Sequence, residues 1–493
     1  IPCCYRTRMF LPFIAVLASG FFSDPGFFIA QPSCAEDGAD AYEDNHNGIC
    51  CSGEAPTKMP ADAGHPIPWF QCRMPSQLSD NNACVRYGLT DAELLAARGA
   101  IPLSSPYPTA STQGASVFLP IFSSSALAKG SAPTHAVVWI HGLGGNANTY
   151  FCSGHAAARS SGTLSVAPWF GNEQVTLEEW LGLERAHDWR LNYGLALGSA
   201  SSPIVSVYWS TASQGRGGWL SGGNNSPKAS LPVKFTTSFD ALDAMVPWLR
   251  VSHATSLDRV SFVGFSAGAQ LVSRWALFSP VAARADVTIV VSDPSSYVYL
   301  DERRPTSVCS PLQDTGPLHN CTTFAVPNEV DHCDEYDNYK YGLADLTEVS
   351  AKNLYLAAYA TNDTMLAQAV AAYPHKDVRY LLGTHDMCNC KTAGFTNDNF
   401  CYPAACATEA NLEGRRCCDT YPDSSTSNAL DVTCNAMLQG SNRLQRGRNY
   451  ISYLQSIAPD AKLATATFDG GHNNSGSFFS DALSKWVFAP ARA

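Results

Sequence analysis

From about residue 115 onward, short apolar runs alternate with helical stretches, and this rhythm constrains the fold more than any other feature of the chain. Ala136-Val-Val-Trp-Ile140, Val260-Ser-Phe-Val263, Val287-Thr-Ile-Val-Val291 and Val378-Arg-Tyr-Leu-Leu382 have the length and character of buried strands. Leu164–Pro168 and Ile204–Tyr208 are weaker versions. Between them, Phe239 to Leu249 sets Phe239, Leu242, Met245, Val246 and Leu249 on one helical face, and Ala269–Leu277, Leu354–Ala371 and Ala482–Phe488 also read as helical. A strand with one wet face alternates polar and apolar residues, whereas an unbroken apolar strand needs cover on both sides. The pattern therefore predicts an α/β fold, a mostly parallel sheet flanked by helices.

With 493 residues the chain has room for two or three domains, or for one large domain with insertions. A hydrophobic content of 45% supports a sizeable core and excludes wholesale disorder. Only 15% of residues are charged, the net charge is −11, and no basic cluster stands out, which argues against nucleic acid or an anionic membrane surface as a partner.

Eighteen cysteines point to an oxidising compartment. The N-terminus points the same way. Arg6 and Arg8 precede an apolar run, Met9 to Phe22, with Ala18 and Gly20 as small residues at a cleavage site, so residues 1–20 read as a signal peptide. The run is too short to span a bilayer and Asp24-Pro25 interrupts it; an N-terminal anchor is the alternative reading. Removing residues 1–20 takes Cys3 and Cys4 and leaves an even sixteen, as complete pairing requires. Sequons at Asn224, Asn320, Asn362 and Asn473 fit a secreted glycoprotein with no membrane contact after signal removal.

Residues 21–100 form a Cys-rich extension holding Cys34, Cys50, Cys51, Cys72 and Cys84, and Thr90 to Arg98 within it reads as a short capped helix. Residues 101–493 form the main domain. Two insertions interrupt it, at about 297–350 with Cys309, Cys321 and Cys333, and at about 388–440 with Cys388, Cys390, Cys401, Cys406, Cys417, Cys418 and Cys434. Both follow strands at the expected carboxyl edge of the sheet, where open α/β proteins bind ligands. Cys388-x-Cys390 and Cys417-Cys418 lack a paired C-x-x-C spacing, and His385 is the one histidine near them, so disulfides are expected rather than zinc.

The chemistry centres on Gly264-Phe-Ser-Ala-Gly268, placed directly after one strand and directly before a helix. Such a turn holds Ser266 on a sharp bend with its hydroxyl at the positive end of the helix. His141-Gly-Leu-Gly-Gly145 leaves the strand ending at Ile140 and can turn backbone N–H groups toward an oxyanion. The donors would be Leu143, with Gly144 as the alternative, and Ala267. A serine needs a base and the base an orienting acid. Of twelve histidines, His472 lies last, on the Gly-rich loop before the final helix; His385, His141, His319 and His332 are weaker rivals. Asp386 follows the last clear strand before His472 and is the expected acid, with Asp293 after the preceding strand as runner-up. Trp169, Trp209, Trp219 and Tyr297 could line a pocket, although core or lid packing is the commoner role of such residues.

Taken together, His141-Gly142, Gly264–Gly268, Asp386 and His472, in this order and each at a strand or loop boundary, resemble the α/β-hydrolase superfamily over roughly residues 115 to 490. Tyr150-Phe151, Pro294–Tyr297 and Met437–Arg443 look like a secreted, Cys-rich microbial branch of serine esterases. The resemblance implies an α/β-hydrolase fold and a Ser266–His472–Asp386 triad with Leu143 and Ala267 as oxyanion donors. It also implies a small-molecule or polymeric ester as substrate, and neither metal nor organic cofactor. A non-catalytic binding protein on the same scaffold is the alternative; among enzymes it is a lipase, a polyester depolymerase or a serine peptidase.

Overall fold

The computed structural model describes residues 56–59, 69–72, 82–103, 117–126, 133–192, 204–209, 218–226, 236–252, 257–306, 323–327, 333, 335–384, 386, 430–431, 433–440, 442–472 and 474–488. The signal-peptide residues, His319, His332, His385, Asn320, Asn473 and the cysteines from Cys388 to Cys418 lie outside them.

The main sheet is built from β1 (Arg98–Leu103), β2 (Val117–Ser123), β3 (His135–Ile140), β4 (Leu164–Pro168), β5 (Arg259–Phe265), β6 (Val287–Ser292), β7 (Val378–Gly383) and β8 (Ala464–Phe468). Their lateral order is β1-β2-β4-β3-β5-β6-β7-β8, with Val205–Ser206 pairing β2 off this path. β2 runs antiparallel to β1 and β4, and the remaining neighbours are parallel. A mixed sheet in this order, with helices on both faces, is the α/β-hydrolase fold.

Period-two geometry explains why the central strands read as unbroken apolar runs. Along β3, Val137 and Trp139 point into one core, with Phe151, Val263 and Val290. Ala136, Val138 and Ile140 point into the other, with Phe262, Ile289, Leu271 and Trp275. The first face is covered by α2 (Ala147–Ala158). The second is covered by α3 (Ser238–Ser252) and by α4 (Ala267–Phe278), whose residues are all buried.

The edge strands carry a different signature and escaped the apolar pattern. β1 contains Gly99 and Pro102, which an edge strand tolerates because one side of its ladder is unpaired. β8, Ala-Thr-Ala-Thr-Phe, alternates, and of its residues only Phe468 is buried. Ile204–Tyr208 shrinks to a two-residue strand. The expected helix Leu354–Ala371 is broken at Thr361, where Asn362 caps a fresh helix, Asp363–Ala372, by accepting a hydrogen bond from the Met365 N–H.

Residues 82–103 are tied to the rest of the sheet and its helices. α1 (Asp91–Ala97) opens with a capping box between Thr90 and Glu93 and buries Leu94 and Ala97 against the α2 core. Cys84 is bonded to Cys152 in α2. The indole N–H groups of Trp180 and Trp189 donate to the carbonyls of Gly99 and Ala100 at 2.7 and 2.9 Å. A boundary at residue 100 falls inside β1.

The two insertions are tied to each other. Cys333 in the first is bonded to Cys434 at the end of the second. Nearby, Lys340 and the Tyr341 hydroxyl both bond Asp431, at 3.2 and 2.6 Å. Among the described residues no helix is long and apolar enough to cross a membrane.

Candidate active site

The site is assembled where β5 turns into α4. Ser266 has φ 58° and ψ −118°, a left-handed backbone that costs energy for a residue with a Cβ. The flanking glycines show why the turn can be so sharp. A Cβ on Gly264 would meet the Gly268 carbonyl oxygen at 2.4 Å, and one on Gly268 would meet the Ile140 carbonyl oxygen at 2.4 Å. Close approach of α4 to β5 and β3 is possible only without those side chains. The turn is held by the Ser266 N–H, which donates to the Ser292 carbonyl on β6 at 2.9 Å.

Three residues singled out by their position in the sequence stand in one hydrogen-bonded line. His472 Nε2 is 2.8 Å from Ser266 Oγ, and His472 Nδ1 is 2.6 Å from Asp386 Oδ2. A carboxylate can only accept, so Nδ1 carries the proton, and the Nε2 lone pair is left facing the serine hydroxyl. The imidazole is 6% exposed and Asp386 fully buried, and the Phe265 ring covers the imidazole with centroids 4.7 Å apart.

The Gly-rich loop after β3 lies against the serine. A Cβ at Gly142 would stand 3.7 Å from Ser266 Cβ and 2.7 Å from the Tyr150 hydroxyl, so only glycine leaves that space open. His141 belongs to the support of this loop rather than to the hydrogen-bonded line. Its Nε2 accepts from the Phe170 N–H at 2.9 Å, which leaves Nδ1–H to donate to the Gly142 carbonyl at 2.7 Å. Burial lowers its pKa to about 4, so the ring stays neutral. Phe170 and Trp219 stack on one another and pack against it. Trp169, Trp209, Trp219 and Tyr297 are all buried in the core. Ala267 is the first residue of α4, and its N–H is one of the helix donors with no intrahelical acceptor.

Asp293 and Arg443 complete the electrostatics. Asp293, just beyond β6, is fully buried with φ 49°; its Oδ1 accepts from the Gly383 N–H at 2.9 Å, while Oδ2 has no hydrogen-bond partner among the described residues. Burial, and then the Asp386 charge, push its carboxyl well above the usual range, so it holds its proton. Asp386 goes the other way: burial acts to raise it, but His472 and Arg443 outweigh that and hold it low. Arg443 is 2% exposed with Nη1 3.6 Å from Asp386 Oδ1. Burial, followed by Arg443, lowers the pKa of His472 against the opposing pull of Asp386.

Arg443 opens α5 (Arg443–Ile457), a helix and a contact that sequence reading missed. Asn442 followed by Gln445 was the available signal, an N-cap with Gln at the third helical position, and the Asn442 side chain does accept from the Gln445 N–H. No group of three or more His, Cys, Asp or Glu side chains that could hold a metal ion gathers among the described residues.

No family model matches the chain, and no curated protein matches it. Among solved structures the chain is similar to poly(aspartic acid) hydrolase-1 from Sphingomonas sp. KT-1, with 18% identity, 80% of this chain and 98% of that one covered, and a TM-score of 0.41. It is also similar to the poly(3-hydroxybutyrate) depolymerase LpqC from Bordetella parapertussis, with 18% identity, 81% and 94% covered, and a TM-score of 0.39. The siderophore hydrolase EstA from Aspergillus nidulans aligns at 11% identity over 79% of this chain and 93% of its own, with a TM-score of 0.32.

Proposed function

We propose that the chain is a secreted serine hydrolase that cleaves a carboxylic ester through an acyl-enzyme, with Ser266 as nucleophile, His472 as base and Asp386 as acid. The observation that carries this reading is the unbroken line from Ser266 Oγ through His472 to Asp386, with separations of 2.8 and 2.6 Å. His472 Nε2 takes the hydroxyl proton as Oγ attacks the ester carbonyl, and Asp386 stabilises the imidazolium. The Leu143 and Ala267 N–H groups hold the tetrahedral oxyanion, each worth about 3–4 kcal/mol. The imidazolium returns its proton to the departing alcohol. Water, activated by the same imidazole, then attacks the acyl-enzyme, and the acid product leaves with Ser266 restored.

Secretion and the division into a signal peptide at residues 1–20, an extension at 21–100 and a catalytic domain at 101–493 belong to the same reading. Two disulfides between segments far apart in sequence support an oxidising compartment.

The test is labelling of the oxidised protein with a fluorophosphonate probe, followed by peptide mapping. Label is expected on Ser266, absent in Ser266→Ala and lost in His472→Ala. A folded protein that takes no label would overturn the reading and leave a non-catalytic binding scaffold in its place.

A further inference from the structure

Behind the line from Ser266 to Asp386 stands a buried arginine. Arg443 and Asp386 are 2% and 0% exposed, yet neither stands at a structural ion pair remote from the site, because the carboxylate between them is the one that faces His472. The contact is double. The guanidinium lies 3.6 Å from Asp386 Oδ1, the oxygen that does not face the imidazole, and the Leu444 N–H donates to the Asp386 main-chain carbonyl at 3.1 Å. The first turn of α5 therefore meets the acid through a backbone hydrogen bond and a buried ion pair without a direct hydrogen bond, and that turn is itself held by the Asn442 cap.

We infer that Arg443 is a positioning residue for the acid: it fixes the Asp386 carboxylate toward His472, and its buried charge keeps the His472–Asp386 pair from taking up a proton in mildly acidic solution. This rests on the reading of Ser266, His472 and Asp386 given above. The polar groups on the elements around the pair are these. β6 contributes the Asp293 carboxyl, α5 contributes Arg443, and the β5–α4 turn contributes the Ser266 hydroxyl. The loop after β8 carries Asp469 together with His472 itself.

With Asp293 neutral, Arg443 and Asp386 cancel one another. A proton added to the imidazole then leaves a net positive charge in a buried site, which is unfavourable. Without Arg443, Asp386 is an uncompensated buried anion and welcomes that proton. The base would be lost at higher pH.

The experiment compares wild type with Arg443→Gln and Arg443→Lys by two readouts. One is the pH dependence of fluorophosphonate labelling at Ser266; the other is the NMR titration of the His472 imidazole, which needs no turnover. In Arg443→Gln the acid limb of labelling and the His472 titration should both move up by about 1–2 pH units, because the cation that opposes a charged imidazolium is gone. Arg443→Lys should keep both near wild type while lowering the plateau rate, because an ammonium cannot reproduce the guanidinium contact. An unshifted limb and titration in Arg443→Gln would overturn the proposal, as would a Lys variant that shifts as far as the Gln variant. If Arg443→Gln does not fold, a Lys variant with a wild-type plateau rate overturns it. Absence of label on wild type strikes at the hydrolase reading instead, and the titration still decides the role of Arg443.

Discussion

Two aspartates compete for the role of acid at the residue scale, and their surroundings separate them. Asp386 meets the imidazole at 2.6 Å and faces a cation, which suits an ionised carboxylate. Asp293 accepts one backbone hydrogen bond, and burial with the neighbouring Asp386 charge pushes its carboxyl well up, which suits a neutral group. An asparagine mimics the second and disables the first. Asp386→Asn should slow labelling of Ser266 by about 10³–10⁴-fold through loss of the imidazole tautomer. Asp293→Asn should change the rate by less than about tenfold, since asparagine is neutral like the protonated acid and tolerates positive φ. The reverse ranking, read from labelling rates at neutral pH, would assign the acid to Asp293. Sequence alone left both in play because each follows an apolar strand; what distinguishes them is the company each keeps across 90 residues of chain.

Strands and helices meet in this protein at distances that particular glycines permit. The approach of α4 to β3 depends on Gly268, where a Cβ would stand 2.4 Å from one carbonyl oxygen and 2.7 Å from the next, both backbone and unable to swing aside. Gly268→Ala should therefore destabilise the fold by about 2–3 kcal/mol and displace the Ser266 turn. Gly144→Ala is the contrast: its Cβ would find nothing nearer than 3.5 Å, and stability should change by less than about 0.5 kcal/mol. Thermal unfolding of the two variants checks both. The elements most visible in the sequence are those buried on both sides, because only there does apolar character run without interruption. β1, β8 and α5 were missed for the opposite reason: the two strands are edges with Gly, Pro or alternating Thr, and the helix begins with buried arginines and glutamine. The wholly buried β2 was missed as well, because Pro120 interrupts its apolar run.

Covalent links act on the scale of the whole molecule. The bond from Cys333 to Cys434 closes a loop of 101 residues and joins two insertions that leave the sheet from different strands. Replacing both cysteines by serine should lower stability by about 2–5 kcal/mol, read as an earlier urea midpoint under non-reducing conditions. An unchanged midpoint would show that the contacts of Asp431 with Lys340 and Tyr341 hold the insertions without it. Cysteine counting pointed to pairing but could not choose partners, since connectivity depends on which loops the sheet brings together. By itself the sequence determined the α/β rhythm, the turn around Ser266 and the loop after Ile140, because each follows from local periodicity, glycine content and position next to a strand. The tertiary structure decided the rest. It set Asp386 rather than Asp293 against His472, placed Arg443 behind it and paired Cys333 with Cys434. These are contacts between residues tens to hundreds of positions apart, and no local pattern encodes which distant side chain will share a buried site.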